Sequence, residues 1–597
     1  MSYTAPVSDI RFTLETICKL DDLAERPAFS DLSSDLVDAI LEEAGKLASG
    51  ALAPLNWPGD QAGSVRQSDG SVKTPEGFPE AYKQFVEGGW NCLSGSTEYG
   101  GQGLPYIMQT AVMDMMTSAN MAFSLCPLLS QGAIEALTAH GTEDLRQTYL
   151  EKLISGEWTG TMNLTEPQAG SDVGALRTKA VPQDNGTYLI SGQKIFITWG
   201  EHDCAENIVH LVLARLPGAP EGTRGISLFL VPKYLVNDDG SLGERNDLRC
   251  VSVEHKLGIH ASPTCTMSYG DEGKCVGYLI GEENRGMACM FTMMNNARIG
   301  VGLQGVAISE RAYQHALHFA RERVQSPVFG SSDRSAKRII DHADVRRMLL
   351  KMKSLAEACR AIVYRTAVAV DRAHQGHDDE RAREKGIAEL LTPIAKALST
   401  DVGVEVSSLG IQVFGGMGYV EETGAAQHFR DSRIAPIYEG TNGIQAIDLV
   451  GRKLNMAGGA VWKDWVQEMR QFCAQLPGDG ELGAIKPYLE DAIEATQTAA
   501  VWMQGNADDG LNDTAAGATP FLRMFGLTTG GYLLTKQAQH AASLLEDRPS
   551  NKSFLEAKIT TARFFAEQIL PHATAALGPV TRGAELLYAL DESQFAA

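Results

Sequence analysis

The segment Arg433-Ile-Ala-Pro-Ile-Tyr-Glu-Gly-Thr-Asn-Gly-Ile-Gln-Ala-Ile-Asp448 says most about how this chain is organised. It places one carboxylate, Glu439, after an Ile/Tyr run typical of extended chain and just before Gly440, where a new helix is expected. Apolar neighbours exclude water from a carboxylate, which raises its pKa and makes it a stronger base. The segment therefore predicts either a base able to remove a weakly acidic C–H proton or a carboxylate that interacts with a helix dipole.

Composition and charge exclude several classes of protein. The 597 residues are 44% apolar and 21% charged, which is typical of a folded chain. A net charge of -22 argues against binding to nucleic acids or anionic membranes. The N-terminus resembles neither a signal peptide nor a transit peptide, and no apolar run reaches the roughly 18 residues that span a bilayer. We therefore expect a cytoplasmic protein without a membrane partner.

The ten cysteines are scattered singly between Cys18 and Cys473, without CxxC spacing. This pattern indicates buried free thiols in a reducing compartment. Neither a disulfide framework nor a metal site is predicted.

The hydrophobic periodicity predicts helices, then strands, then helices again. The first part is helical to about residue 155, with a Gly/Pro-rich turn region at 53–75. Strands are expected where Val, Ile, Thr and aromatic residues cluster between turn signals, which is typical of a small antiparallel sheet or barrel. These runs are 188–191, 194–198, 208–213 and 226–231.

Helical stripes return after about residue 286. Two long ones cover 299–324 and 345–366, as in bundle helices. A linker is predicted at 455–460, and further helices follow in a separate or appended unit. These helical runs are 462–472, 485–503, 521–545 and 553–570.

Five motifs occur in the order and spacing of the acyl-CoA dehydrogenase family, which this chain therefore resembles. They are Leu164-Thr-Glu-Pro-Gln-Ala-Gly-Ser-Asp-Val173, Gly192-Gln-Lys-Ile-Phe-Ile-Thr198, Glu322-Arg-Val-Gln-Ser326, Gln412-Val-Phe-Gly-Gly-Met-Gly-Tyr419 and Ile437-Tyr-Glu-Gly-Thr441. The resemblance implies an α+β protein that binds FAD. It also implies four parts: an N-terminal helical domain (1–158), a middle antiparallel β-barrel-like domain (159–283), a C-terminal four-helix bundle (284–454) and an appended C-terminal helical domain (461–597).

The resemblance assigns the flavin contacts to two motifs of the middle domain. Met162, Leu164 and Thr165 would contact the ring edge, while Phe196 and Thr198 would pack against the ring and hydrogen-bond to it. Taken alone, Phe196 would be predicted as a sheet-core aromatic. In register with the neighbouring motifs it is predicted to contact the flavin.

Further contacts to FAD are implied from the helical part of the chain. Arg323, Gln325, Gln412, Gly415 and Gly416 would reach the FAD of a neighbouring subunit, and Thr441 would also contact the cofactor. The glycines leave a bare backbone that can approach a phosphate closely. By itself the turn lacks the GxGxxG spacing of a dinucleotide fingerprint, and a plain helix-joining loop is the alternative.

The resemblance assigns the CoA thioester to Ser171, Arg298 and Gly440. Arginine makes planar, two-pronged contacts to phosphate or adenine. The family commonly carries an acidic residue three positions before this arginine, whereas Asn295 stands there in this chain. No CoA contact is therefore assigned to position 295.

The implied reaction is α,β-dehydrogenation of an acyl-CoA. Glu439 would remove the α-proton, its backbone N–H would help to stabilise the enolate, and a hydride would pass from the β-carbon to FAD. Electron-transferring flavoprotein is the expected oxidant. The N-terminal segment, the Glu439 region and the extra C-terminal helices resemble the branch that oxidises 3-methylmercaptopropionyl-CoA in dimethylsulfoniopropionate catabolism. Family members with such a C-terminal extension tend to be dimers, so the resemblance implies a homodimer for this chain.

Three alternatives stay open. A short- or medium-chain fatty acyl-CoA dehydrogenase or an acyl-CoA oxidase would share the same fold and base. A flavin-containing, DNA-binding alkylation-response protein would need a strongly basic face. The late helices instead mix Arg523, Lys536 and Arg563 with acidic residues.

Overall fold

The structure is a computed structural model that describes residues 3–506, 511–547 and 549–596, with the backbone alone for Asn295 and Leu511. Backbone contacts divide the chain into two compact units. The first unit comprises Met1–Ala5 and Glu42–Gly300, and the second comprises Pro6–Leu41 and Val301–Ala597. The bounds of the four predicted domains are not decided by this division and stay a prediction.

The N-terminal part of the chain is mainly helical, as predicted. Side chains cap helices such as α7 and α8 here: Asn120 Oδ1 accepts from Phe123 N, and Thr142 Oγ1 accepts from Leu145 N. The turn predicted at 53–75 is wrong for its first ten residues, which form a helix with proline tolerated near its start. The elements are α1 (Val7–Thr13), α2 (Leu20–Ala24), α3 (Ser34–Leu47), α4 (Ala53–Ala62), β1 (Val65–Arg66), β2 (Val72–Lys73), α5 (Phe78–Glu87), α6 (Tyr106–Ala119), α7 (Met121–His140) and α8 (Glu143–Ser155).

The middle part contains strands, and the predicted runs lie in three of them. The runs at 188–191 and 194–198 are one continuous strand, β5. The strands are β3 (Trp158–Asn163), β4 (Lys179–Pro182), β5 (Tyr188–Thr198), β6 (Asn207–Arg215), β7 (Ile226–Pro232), β8 (Tyr234–Val236), β9 (Leu242–Arg245), β10 (Leu248–Val253), β11 (Thr264–Tyr269) and β12 (Val276–Ile280).

Eight of these strands form one sheet in the order β10-β11-β5-β12-β7-β6-β3, with β4 paired to β5 and, at one position, to β6. Most pairs are antiparallel, as predicted, but β3 and β6 are parallel over six residue pairs and β4 meets β6 in parallel at one, so the prediction is wrong for these two pairs. A parallel pair needs a long crossover, and residues 164–206 supply it. The barrel-like closure stays a prediction.

One hydrophobic cluster of the first unit lies between α7, α8, the start of α9 and strands of this sheet. Gly160 of β3 permits the close approach, because a Cβ there would lie 2.4 Å from the Ala133 side chain of α7. The strand that carries Met162 is therefore fixed against a helix.

The described residues after β12 are mainly helical, and the predicted linker is a turn of left-handed residues at Ala457, Gly458 and Gly459. The helices are α9 (Gly286–Glu322), α10 (Ala343–Gln375), α11 (Asp378–Phe414), α12 (Ala425–Ser432), α13 (Asn442–Asp448), α14 (Ala460–Ala474), α15 (Gly480–Gly505), α16 (Leu511–Glu546), α17 (Lys552–Gln568), α18 (Leu570–Ala575) and α19 (Leu577–Thr581).

The late helices belong to the second unit together with α10 and α11, so they are appended rather than separate. Gly526 of α16 packs against Leu398 of α11, and Arg523 donates to Glu405 of α11 at 2.9 Å. The N-terminal segment joins the same unit, since the Lys558 ammonium of α17 lies 2.6 Å from an Asp9 oxygen.

No helix in the described ranges is long and apolar enough to cross a membrane. All ten cysteines are free, and Cys92 and Cys204 are the two that are not fully buried.

Candidate active site

Glu439 lies in a compact loop between α12 and α13. The preceding Ile/Tyr run is not extended as predicted, because the N–H groups of Ile437 and Tyr438 both turn back to the carbonyl of Ile434, at 2.8 and 3.2 Å. The helix expected after Gly440 begins at Asn442, and its N-cap Thr441 accepts from Ile444 N at 3.2 Å. The loop thus delivers one carboxylate at the entrance to a helix.

The backbone of Glu439 is in the left-handed region, with φ of 56°. A non-glycine residue there costs about 1–3 kcal/mol, and such strain concentrates at functional sites. Residue Glu439 is half-buried, next to Tyr438. Burial and the neighbouring Glu439 charge raise the pKa of Tyr438, whose hydroxyl donates to Gln304 Oε1 of α9. A neutral phenol therefore lies next to the predicted base.

In the first unit, the two motifs predicted to contact flavin are neighbours. Met162 is buried at the end of β3, and Leu164 and Thr165 follow it, half-buried. The N–H of Ile195 in β5 donates to the carbonyl of Thr165 at 2.9 Å. This hydrogen bond brings the Thr165 and Phe196 segments together.

Phe196 is not a sheet-core residue. Its side chain is 58% exposed and its φ is 59°, in the left-handed region. The register between β5 and β11 shifts at this point, between the pairs Cys265↔Ile197 and Met267↔Lys194. Such a bulge re-aims side chains, and here it leaves a flat aromatic ring facing outward, while the Thr198 side chain is half-buried nearby in the strand.

A buried ion pair supports this region, and sequence reasoning missed it. Lys194 Nζ donates to Glu166 Oε1 at 2.8 Å and to the Leu164 carbonyl at 3.0 Å. Burial alone would raise the pKa of Glu166, but Lys194 and hydrogen bonds from Thr178 and Arg177 N lower it to about 2. Glu166 and Lys194 both lie inside the family motifs quoted above, and this position in the motifs could have identified them from the sequence.

The two CoA candidates of the first unit differ in exposure. Ser171 is exposed in the loop after β3, whereas Arg298 of α9 is buried, with 5% of its surface accessible. The side chain of Asn295 lies outside the described residues.

Besides Thr441 at the N-cap of α13, the second unit carries its cofactor candidates at two exposed connections, after α9 and at the end of α11. Arg323 and Gln325 follow α9, where Ile339 N donates to the Arg323 carbonyl at 2.7 Å and Gln325 N donates to the Lys337 carbonyl at 2.9 Å. Gln412 lies in the last turn of α11, and Gly415 follows the helix with φ of 62° and ψ of -140°, a conformation that requires glycine. A Cβ at Gly415 or Gly416 would meet no atom within 4 Å, so this backbone is open to a ligand.

Four domain models cover most of the chain. They are the acyl-CoA dehydrogenase N-terminal domain at 64–157, the middle domain at 161–271, the C-terminal domain at 284–454 and an acetyl-CoA dehydrogenase C-terminal-like domain at 465–591. The chain belongs to the acyl-CoA dehydrogenase family and is an oxidoreductase.

It is similar along almost its whole length to characterised relatives. It is 47% identical to the 3-methylmercaptopropionyl-CoA dehydrogenase of Ruegeria pomeroyi over 97% of this chain and 98% of the relative. It is 36% identical to a butyryl-CoA dehydrogenase of Syntrophomonas wolfei, over 96% and 95%. The fold matches the crystal structure of an acyl-CoA dehydrogenase complexed with FAD from Bacillus anthracis, with a TM-score of 0.74, 21% identity and coverage of 96% of this chain and 91% of that one.

Acyl-CoA dehydrogenases bind FAD, and the residues of this chain fit that cofactor. The outward ring of Phe196 offers an aromatic face to a planar flavin. The open, glycine-only backbone at Gly415 offers close approach to the polar part of a dinucleotide.

Proposed function

We propose that this enzyme converts 3-methylmercaptopropionyl-CoA to 3-methylthioacryloyl-CoA in dimethylsulfoniopropionate catabolism. The observation that carries the proposal is the 47% identity, from end to end, to the Ruegeria pomeroyi enzyme of that name. The butyryl-CoA dehydrogenase relative supports a short acyl substrate as the second candidate. A thioether sulfur replaces one methylene of a pentanoyl chain, and a pocket distinguishes such groups by only about 1–3 kcal/mol.

Glu439 is the proposed base. Its carboxylate takes the α-proton of the thioester, and its backbone N–H donates to the thioester oxygen as charge develops there. A bound FAD would supply the acceptor for the hydride that leaves the β-carbon. The strained φ of 56° at Glu439 supports this assignment, since nothing in the capping of α13 by Thr441 requires a carboxylate at that position.

We assign the flavin contacts to Met162, Leu164, Thr165, Phe196 and Thr198. The exposure of Phe196 supports this, because an apolar ring gains by leaving water when it packs against the cofactor.

The second unit supplies the other proposed contacts to FAD. These are Arg323, Gln325, Gln412, Gly415, Gly416 and Thr441. Arg298, Ser171 and Gly440 are assigned to the CoA thioester. The burial of Arg298 supports a role that fixes the guanidinium in one orientation.

We also propose a homodimer. Phe319 of α9 stacks on Phe414 of α11 at 4.1 Å, so the loops after these two helices are neighbours. These loops present Phe329, fully exposed, and Tyr419, 88% exposed. Large aromatic residues exposed on neighbouring loops are typical of a protein–protein interface. A tetrameric mass by light scattering at micromolar concentration would count against the dimer.

Electron-transferring flavoprotein is the proposed oxidant and the cytoplasm the proposed location. Hydrogen peroxide formed stoichiometrically during turnover would instead identify an oxidase. Salt-dependent DNA binding in a gel shift would support the alkylation-response alternative.

The role of Glu439 is tested with Glu439→Gln, which keeps the size of the side chain. We expect the variant to retain FAD and bind acyl-CoA, but to lose flavin reduction by several orders of magnitude in a stopped-flow experiment. Glu422→Gln, at an exposed position of the same part of the chain, is the control and should reduce normally. Near-normal reduction in Glu439→Gln would remove Glu439 from the role.

The substrate is tested by kcat/KM across a panel of acyl-CoAs with an artificial electron acceptor. We expect 3-methylmercaptopropionyl-CoA to be turned over well, butyryl- and valeryl-CoA measurably, and long chains poorly. A preference of about a hundredfold or more for palmitoyl-CoA would refute the thioether assignment and leave the dehydrogenase chemistry standing.

A further inference from the structure

The carbonyl groups of Glu439 and Gly440 are held from two sides. Gln445 of α13 donates its Nε2 to both carbonyl oxygens, at 3.2 Å each. Lys396 of α11 donates its Nζ to the Gly440 oxygen at 2.9 Å and to Asn442 Oδ1 at 2.8 Å. Gln445 therefore holds both peptide planes that follow the Glu439 side chain, and Lys396 holds the second of them from another helix.

Neither of these side chains has a solvent-facing role. Lys396 and Gln445 are both fully buried. Burying an ammonium costs free energy unless it is paired and hydrogen-bonded. Here the Asn442 amide links it to a carboxylate, because Asn442 Nδ2 donates to Asp401 Oδ1 at 2.7 Å. A buried ammonium therefore binds the backbone carbonyl that follows Glu439.

The helix that carries Lys396 is itself rigidly placed. Gly302 and Gly305 of α9 allow direct backbone contact with α11, since a Cβ at Gly305 would lie 2.1 Å from the Ser399 carbonyl oxygen. Closely packed helices move little relative to one another. The Nζ of Lys396 is therefore a fixed anchor for the loop.

The loop needs such an anchor. Two consecutive residues, Glu439 and Gly440, have φ values of 56° and 83°. Glycine adopts this conformation freely, whereas glutamate persists in it only when the surroundings over-determine it. Without the anchor, relaxation of φ at Glu439 would swing its carboxylate away from its present direction.

We propose that Lys396 and Gln445 form a two-sided clamp on the Glu439–Gly440 carbonyls that positions the Glu439 carboxylate for proton abstraction. Both are positioning residues, since they act through the backbone of Glu439. The inference rests on the proposed role of Glu439 as the base.

The clamp should affect the chemical step more than substrate affinity. A misplacement of about 1 Å can cost about 100-fold in rate. For Lys396→Met, which keeps the length of the apolar stem, we expect flavin reduction at saturating acyl-CoA to fall about 10- to 100-fold, with the Kd for acyl-CoA changed less than about threefold. Gln445→Met should act in the same direction.

The experiment compares both variants with the parent holoenzyme by stopped-flow reduction, equilibrium binding of acyl-CoA and amide hydrogen exchange. Exchange in residues 437–442 should accelerate in both variants, which is a readout independent of catalysis. Lys453→Met is the matched control, because Lys453 is also a buried lysine of the second unit but its ammonium contacts Glu389 at 3.1 Å. The control should reduce flavin at the parental rate.

Parental reduction rates in Lys396→Met and Gln445→Met would overturn the clamp, and so would losses of rate and affinity in equal proportion. If Lys396→Met does not yield a folded flavoprotein, Gln445→Met decides alone. Glu439→Gln distinguishes failure of the clamp hypothesis from failure of Glu439 as the base. Loss of reduction in that variant with normal reduction in the clamp variants refutes the clamp only, whereas normal reduction in Glu439→Gln refutes the base.

Discussion

The attachment of the N-terminal segment to the second unit can be tested at one lysine. The Lys558 ammonium of α17 is nearly inaccessible to solvent and lies 2.6 Å from Asp9 and 2.8 Å from Glu357. It also lies 5.5 Å from the centre of the Phe12 ring. Lys558→Met therefore removes the charge shared by two carboxylates while keeping most of the apolar stem.

The stability lost in Lys558→Met can be estimated from the ion pairs that Asp9 and Glu357 keep. Breaking a buried ion pair by removing one partner costs about 3–5 kcal/mol. Asp9 keeps Arg360 at 2.8 Å, and Glu357 keeps Lys353, so neither carboxylate is left uncompensated. We therefore expect the free energy of unfolding to fall by about 3 kcal/mol, the lower end of this range. With about 2.1 cal/mol/K of unfolding entropy per residue and roughly 330 residues in the unit, this lowers Tm by about 4 °C.

The assay is thermal unfolding of the holoenzyme, followed by circular dichroism at a fixed protein concentration. Lys552→Met is the control on the same helix, because Lys552 is 68% exposed and only 3.5 Å from Glu556, as in an ordinary surface pair. Such pairs contribute about 0.5 kcal/mol or less, so Tm should move by less than about 1 °C. Equal shifts in the two variants would refute the argument that burial makes Lys558 important.

Three further predictions concern the first unit. Burial raises the pKa of Glu135 to about 8, despite a hydrogen bond with Asn296. Below that pH the folded protein keeps a proton that the unfolded chain has already lost, so stability falls as pH rises towards 8. Glu135→Gln should therefore raise Tm more at about pH 8 than at about pH 5. An equal change in Tm at both pH values would contradict this. Arg298→Ala should raise KM about tenfold or more with kcat nearly unchanged in steady-state kinetics, since CoA is bound in both ground and transition states; a fall in kcat alone would contradict the assignment. Phe196→Ala should increase FAD loss on gel filtration without lowering the Tm of the apoprotein, because the ring is exposed; unchanged FAD retention would argue against a flavin contact.

Local patterns were sufficient for the order of the elements and for the family. Hydrophobic periods of 3.6 and 2 depend only on near neighbours in the chain, and they correctly predicted β6, β7 and α10. Motif spacing identified the acyl-CoA dehydrogenase family, which the domain models confirm. Local reasoning was wrong where geometry depends on a distant partner, as in the parallel pairing of β3 with β6 and the compact turns before Glu439.

The sequence alone therefore determined which residues are candidates, and tertiary structure decided how they are held. The outward ring of Phe196 depends on a bulge against β11, and the path of the Glu439 loop depends on Lys396, 43 positions earlier in the chain. Asp9 and Lys558 are 549 positions apart, and no local pattern relates them. Such contacts arise only when packing brings separate segments together, because the free energy of a buried charge depends on its surroundings in space and not on its neighbours in sequence.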